Sequence, residues 1–205
     1  MAMQIARWQF TVDDYHRMQA AGILTEDDRV ELIDGEVRRM SPIGPLHAAI
    51  VKRLNTLLMP HMGTLMLISL QDPIQLNDVS EPEPDIAILR YDASYYAQHH
   101  PTPEAVLFVT EVADTLLDYD RDEKLPRYAE AGIREAWIVD VEAEIVVQYT
   151  QAIEHRYLTR REYRRGDSIT SVAAPTITSR SPTFSDDECP TASGDLTSRA
   201  PDSPR

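Results

Sequence analysis

The chain has 205 residues, 34 acidic against 20 Lys and Arg side chains, a formal net charge of −14 and 42% hydrophobic residues. That length suits one domain with a full mixed core, and the acidic balance argues against broad nonspecific coating of nucleic acid, which wants a basic surface, though not against a small basic groove. A single cysteine, Cys189, excludes an internal disulfide framework and a Cys-rich zinc site; with no apolar run near the ~18 residues of a membrane span and no signal-peptide core in Met1–Phe10, a cytoplasmic, reduced protein is expected.

Thr11–Ala21 reads as a short helix, capped by Thr11, with Asp13 and Asp14 in its first turn and Gly22 at its end. The run RVELIDGEVRRM holds two strand-like segments around Asp34-Gly35, a hairpin signal. Leu46–Met59 is helical by period, with an apolar stripe of Leu46, Ile50, Leu54, Leu57 and Leu58. Thr64–Leu70 and Pro73–Leu76 are strand candidates, followed by the acidic bend NDVSEPEP. Asp85–Leu89 is a strand entered through Pro84, 90–105 is a loop, and Ala105–Glu111 is an apolar strand ending in a carboxylate.

Asp120–Ala131 reads as a helix with Asp120 at the N-cap, Glu123 completing a capping box and Gly132 at C′. Strands follow at Ala136–Asp140 and Glu144–Tyr149, then an arginine-rich extended stretch, HRYLTRREYRRGDSI. From Ala174 onward Ser, Thr and Pro dominate and apolar periodicity is lost. The expected organisation is therefore a domain over 1–173 and a disordered tail over 174–205. The helix–strand–strand–strand–helix–strand order predicts an α/β fold, a mixed sheet flanked by helices.

Asp85, Glu111 and Lys124 are the candidate chemical residues. Strands disfavour acids, and a buried carboxylate without a partner costs several kcal/mol. If the strands carrying Asp85 and Glu111 are neighbours, their carboxylates converge and repel unless a divalent cation lies between them. Oxygen ligands suit Mg²⁺, and such a pair reads as a metal-assisted phosphodiester site. Lys124, near the start of a helix, opposes the macrodipole and calls for nearby carboxylates. There an ammonium can also orient a water or stabilise developing phosphorane charge. Plainer readings stand beside these: Asp85 as a turn residue after Pro84, Glu111 paired with an arginine, Lys124 solvated beside Asp120. The arginines 156, 160, 161, 164 and 165 form the one dense basic run, which either tracks a phosphate backbone or is a solubilising edge.

The segments RVELIDGEV, SPIGPLHAAIVKRL, EPEPDIAIL and FVTEVADTLLDYDRDEKLPRYAEAGIREAWIVD, in this order and spacing, resemble the Uma-type family of restriction endonucleases within the PD-(D/E)XK nuclease superfamily, over roughly residues 8–172. The resemblance implies a restriction-endonuclease-like αβββαβ core, here preceded by an N-terminal helix and hairpin. It implies that Pro84-Asp85 is the PD pair and Glu111 the second acid. The superfamily's lysine belongs two residues further on, where this chain has Ala113; the resemblance implies that Lys124 on the next helix replaces it. Asp85, Glu111 and the Val112 carbonyl would then bind Mg²⁺ (or Mn²⁺), and Lys124 would position the attacking water.

His47 matches a histidine of the family, or else packs at a helix start. Glu31 adds a carboxylate to the site, or else is a solvated strand residue or a partner of Arg29. His99-His100 read as solvated, His61 as alone, and no zinc spacing is present. The implied activity is metal-dependent hydrolysis of DNA phosphodiester bonds, with a homodimer as one way to assemble a basic cleft. The alternative, favoured by Ala113 and the acidic charge, is an inactive nuclease-fold binding or assembly module. The tail does not match the family's apolar closing strand and helix.

Overall fold

The computed structural model describes residues 7–114 and 117–181. Helix α1 (Val12–Ala20) starts at a capping box. The Thr11 hydroxyl accepts the Asp14 N–H at 3.1 Å, and the Asp14 carboxylate accepts the Thr11 N–H at 3.1 Å. Strands β1 (Val30–Ile33) and β2 (Glu36–Arg39) pair antiparallel through Asp34-Gly35. Both turn residues have positive φ, 50° and 73°, as a two-residue turn matched to strand twist requires. Gly35 is also sterically fixed, since a Cβ there would lie 2.6 Å from Gln9 Cβ.

Helix α2 (Pro45–Leu58), with proline in its first turn, buries Ile50, Val51, Leu54 and Leu58. It covers one face of a six-stranded sheet: β3 (Met66–Leu70), β4 (Ile86–Arg90), β5 (Val106–Ala113), β6 (Glu135–Asp140), β7 (Ile145–Ile153) and β8 (Arg156–Arg164), adjacent in that order. Every neighbouring pair is antiparallel except β5–β6. A parallel pair needs a crossover, which residues 117–130 supply on the opposite face.

The period-2 pattern of β5 serves both layers. Phe108 and Val112 join the α2-side core with Ile86, Ile88 and Trp137, while Val109 and Ala113 join Ala87, Ala136, Ile138 and the crossover's Leu125 and Tyr128. This is the expected mixed sheet flanked by helices. Among the described residues no helix is long and apolar enough to cross a membrane.

Four local expectations change. First, the crossover does not begin at an Asp120 N-cap. It runs as α3 (Leu117–Tyr119), a π-helical turn (Asp120–Lys124) and α4 (Leu125–Glu130), with the Leu125 N–H bonded to the Asp120 carbonyl. Pro126 explains the widened turn: it has no N–H to give and crowds the carbonyl four residues back. Asp120 is thus buried within a helical run instead of capping one. The end is as expected, with Gly132 at φ 82° and the Ile133 N–H returning to the Tyr128 carbonyl.

Second, Pro73–Leu76 joins no ladder. Ile74 and Leu76 are buried, but the N–H groups of residues 74–76 go separately to the carbonyls of Pro82, Pro101 and Ser80; prolines at 82 and 84 deny that stretch a continuous partner. Third, β5 continues through Ala113 because Val112 and Ala113 pair with Val139 and Asp140.

Fourth, disorder does not begin at Ala174. Strands β9 (Ser168–Thr170) and β10 (Thr178–Arg180) pair antiparallel, and Ala174 and Ile177 are buried in the α2-side core. The boundary expected after residue 173 therefore falls inside a folded hairpin. Two apolar side chains among Ser, Thr and Pro are too sparse to show as periodicity. The rest of the expected tail, 182–205, lies outside the described residues, Cys189 with it.

Candidate active site

The start of β4 and the far end of β5 are neighbours in the sheet, with Ile86 opposite Thr110, so Asp85 and Glu111 arrive at the same edge of one cavity. The cavity holds about 90 Å³ and is lined by apolar groups such as Met40 and Ile43 together with polar ones, among them Glu31, His47, Gln71, Glu83, Asp85, Glu111, Asp114, Asp120 and Lys124.

Asp85 is held at both oxygens. Oδ1 lies 2.8 Å from His47 Nε2 and accepts the Gln71 amide at 3.1 Å; Oδ2 accepts the Val112 N–H at 2.8 Å. Burial pushes its carboxyl up, but the His47 hydrogen bond and charge, the Val112 N–H and Gln71 together hold it below the usual carboxylate range. The same contact, against the opposing effect of burial, raises the pKa of His47. His47 is in the first turn of α2, where Pro45 fixes the entry, so the helix aims an imidazole at the acid.

Glu111 is buried. Its Oε1 accepts the Tyr128 hydroxyl at 2.5 Å and lies 3.3 Å from Lys124 Nζ; among the described residues its Oε2 has only a long contact with the Asp85 N–H, 3.4 Å. Burial drives its carboxyl well above the ordinary value, Lys124 opposes this, and Asp120 and Asp85 add to it. Lys124 reaches three oxygens: Glu111 Oε1, Glu31 Oε2 at 3.2 Å and the Glu83 carbonyl at 3.2 Å. Burial works against its charge, but Glu111, Glu31, Asp120 and Asp85 outweigh burial and keep the ammonium protonated.

Glu31 is buried, and its other oxygen accepts the Tyr119 hydroxyl at 2.9 Å. The β1–β2 hairpin that carries it is clamped to the crossover by Arg127–Asp34 at 2.6 Å and Arg38–Glu123 at 2.8 Å. Excess negative charge shows at the margins. Burial, then Asp85 and Glu31, push Asp120 up to about 7 against the pull of Lys124. Burial and Glu31 likewise push Glu83 up to about 7.

The structure thus gathers Asp85, Glu111, Val112 and Lys124 at one cavity, with His47 on Asp85 and Glu31 on Lys124. Residue 113 is Ala113, packed under α4. The Val112 N–H points toward Asp85; within a strand a residue's carbonyl lies on the same side as its N–H. The arginine run is elsewhere, on or beside edge strand β8, three strands from β5 and so about 14 Å away across the sheet. Within it Arg160 pairs with Glu162.

Sequence reasoning missed Gln71, Glu83, Tyr119 and Tyr128, and assigned Asp120 to a cap. One signal was available: Asp120, Lys124 and Tyr128 recur at i, i+4, i+8, a single helical stripe of acid, base and phenol.

The fold and this cavity define an α/β protein, a mixed sheet flanked by helices with clustered carboxylates at one sheet edge. Residues 12–180 match the Uma2 family, described as "Putative restriction endonuclease", and the chain belongs to that family. Its fold is similar to that of a crystal structure described as a "putative nuclease belonging to DUF820" from Anabaena variabilis ATCC 29413, with a TM-score of 0.58, 16% identity, and 80% of this chain and 91% of that one covered. No curated protein matches the chain significantly.

Proposed function

We propose that the protein is a metal-dependent endonuclease whose reaction centre is Asp85, Glu111 and Lys124. The observation that carries this reading is Glu111 Oε2. It is a carboxylate oxygen with one long contact, 3.4 Å, among the described residues, in a cavity where five further acids, Glu31, Glu83, Asp85, Asp114 and Asp120, also gather. Such a donor set is hard, all-oxygen and short of positive charge, which suits Mg²⁺ or Mn²⁺. Asp85, Glu111 and the Val112 carbonyl would hold the ion, with Asp120 beside it. When bound, a divalent cation polarises the phosphoryl oxygen and lowers the pKa of a coordinated water.

The chain's own residues supply the rest. His47 and Gln71 fix the Asp85 carboxylate in one orientation. Lys124, locked by Glu31 and the Glu83 carbonyl, presents a fixed positive charge beside Glu111, where it orients the attacking water and stabilises negative charge on the phosphoryl oxygens. Hydrolysis forms a bond from water oxygen to phosphorus as the bond to the leaving sugar oxygen breaks, and the leaving oxygen takes up a proton.

The family description supports DNA as the substrate. The charge of −14 opposes long-range capture of a polyanion, an objection that a homodimer assembling a local basic cleft would soften. Ala113 and the same charge support one competing reading, an inactive assembly module. Purified protein is incubated with duplex DNA, single-stranded DNA and RNA in Mn²⁺, in Mg²⁺ and in chelator, beside Asp85→Asn. Metal-dependent cleavage lost in the variant supports the enzyme; no cleavage of any substrate, with no metal bound by calorimetry, supports the module.

A further inference from the structure

A second constellation lies away from this cavity. His16 on α1, Glu81 in the run leading to Asp85, and His100 in the 91–105 loop place one ligand atom each within 4.8 Å of one another. They are far apart in sequence, and no spacing rule connects them. His16 Nε2 is 2.7 Å from Glu81 Oε1, and the two imidazoles meet edge-on with centroids 5.8 Å apart. The Glu81 side chain is only 2% exposed, and its Oε2 has no hydrogen-bond partner among the described residues.

A simple ion pair does not account for this. A protonated His16 engages Oε1 and leaves the second oxygen of a buried carboxylate unpartnered, an arrangement that costs free energy. We propose that His16, Glu81 and His100 form a transition-metal site, distinct in chemistry from the all-oxygen cavity. Two imidazoles and a carboxylate are borderline ligands that favour Zn²⁺ and its neighbours over Mg²⁺ or Ca²⁺. Bonds of about 2.0–2.1 Å to a tetrahedral ion would separate the ligand atoms by roughly 3.4 Å. The 2.7 Å contact must therefore open slightly, which the half-exposed His16 side chain allows. A solvent molecule completes the coordination.

Each ligand already has a fixed base. The Glu81 N–H is bonded to the Leu32 carbonyl at 2.7 Å; Tyr15, next to His16, donates its hydroxyl to the Val30 carbonyl at 2.7 Å; and Pro101, next to His100, accepts the Gln75 N–H at 2.9 Å. The ion would join three segments, one of which enters the candidate active site four residues later at Asp85.

Co²⁺ alone, whose visible spectrum reports coordination number and nitrogen ligation, is titrated into metal-free protein carrying Glu111→Gln, so that the acidic cavity does not compete. One equivalent should bind with an intense visible band, and Zn²⁺ should displace it. Adding His100→Ala should weaken binding by about 100-fold or more and abolish the band, with unchanged circular dichroism. His16→Ala is the second test, on a different element. In otherwise wild-type protein, Zn²⁺ at 100 times its dissociation constant should raise Tm by about 5–10 °C. The proposal is overturned if Co²⁺ binds no more weakly to both histidine variants, or if no stoichiometric binding occurs. Either result would leave His16 and Glu81 as an ion pair only.

Discussion

Two buried glutamates on adjacent strands, Glu111 and Glu135, are treated in opposite ways by the same sheet. Glu135, at the start of β6, is saturated. Its Oε1 accepts Trp137 Nε1 and Gln148 Nε2, each at 2.6 Å; its Oε2 accepts the Ser171 hydroxyl at 2.8 Å and the Ala173 N–H at 2.7 Å. All four donors are neutral, and two of them come from the closing hairpin, so this carboxylate fastens residues 171–173 to the core. Glu111 instead shares a cavity with other acids and keeps one oxygen nearly unused. A carboxylate surrounded by donors is a structural fastener; one surrounded by its own kind is under electrostatic load that an ion could relieve.

Isosteric substitution separates the two roles most sharply. Glu111→Gln should lower metal-dependent cleavage by about 10³-fold while changing stability by less than about 1 kcal/mol, because it also removes a repelling charge. Steady-state cleavage and thermal melting measure both. A comparable loss is expected for Lys124→Ala. That variant should also melt earlier without metal, since Glu31 and Glu111 lose their shared cation. Wild-type cleavage by Lys124→Ala would end the idea that this lysine stands in for residue 113.

Glu135→Gln should do the reverse. Its amide nitrogen would face donors, and about 2–4 kcal/mol of stability should be lost with metal binding intact. Denaturant melts and calorimetry with Mn²⁺ test this. A variant as stable as wild type would remove the contrast.

Acidity gives a smaller, signed effect. Asp120 has a folded pKa of about 7 against an ordinary value of 3.8, so between about pH 4 and 7 the folded state binds more protons than the unfolded. Stability of the metal-free protein therefore falls as pH rises through that window. Melting curves from pH 4 to 8 should show the decline; Asp120→Asn or added Mn²⁺ should flatten it. Least of all, His47→Gln should weaken Mn²⁺ affinity about tenfold, as removing an orienting partner of a ligand does, with little change in Tm. An unchanged affinity would make His47 a packing residue.

How far the sequence reached depends on what kind of signal each feature carries. Helix α2 was readable because its stripe repeats, and Asp85 and Glu111 because an acid opens one apolar strand and ends another at positions that also match a family pattern. Glu135 opens a strand in the same way and carries no such pattern, so residue type alone does not distinguish fastener from site. Asp120 was misplaced because an acid three residues before a glutamate looks the same at a cap and inside a helix; only the tertiary demand of Pro126 and the cavity decides. Tyr119, Gln71 and the pair His16–His100 meet their partners through chain folding alone. The segment 174–181 is held by pairing with β9 and by two buried apolar side chains, Ala174 and Ile177, which leave almost no periodic trace.

The widened turn between Asp120 and Lys124 has a consequence for indels. It amounts to one surplus residue in the crossover. Deleting a single position there would restore ordinary winding while the turns on either side kept their alignment, so the change would fall on the side chains of Asp120–Lys124 themselves. The crossover can therefore shed or keep one residue at the cavity without re-registering α4 against the sheet.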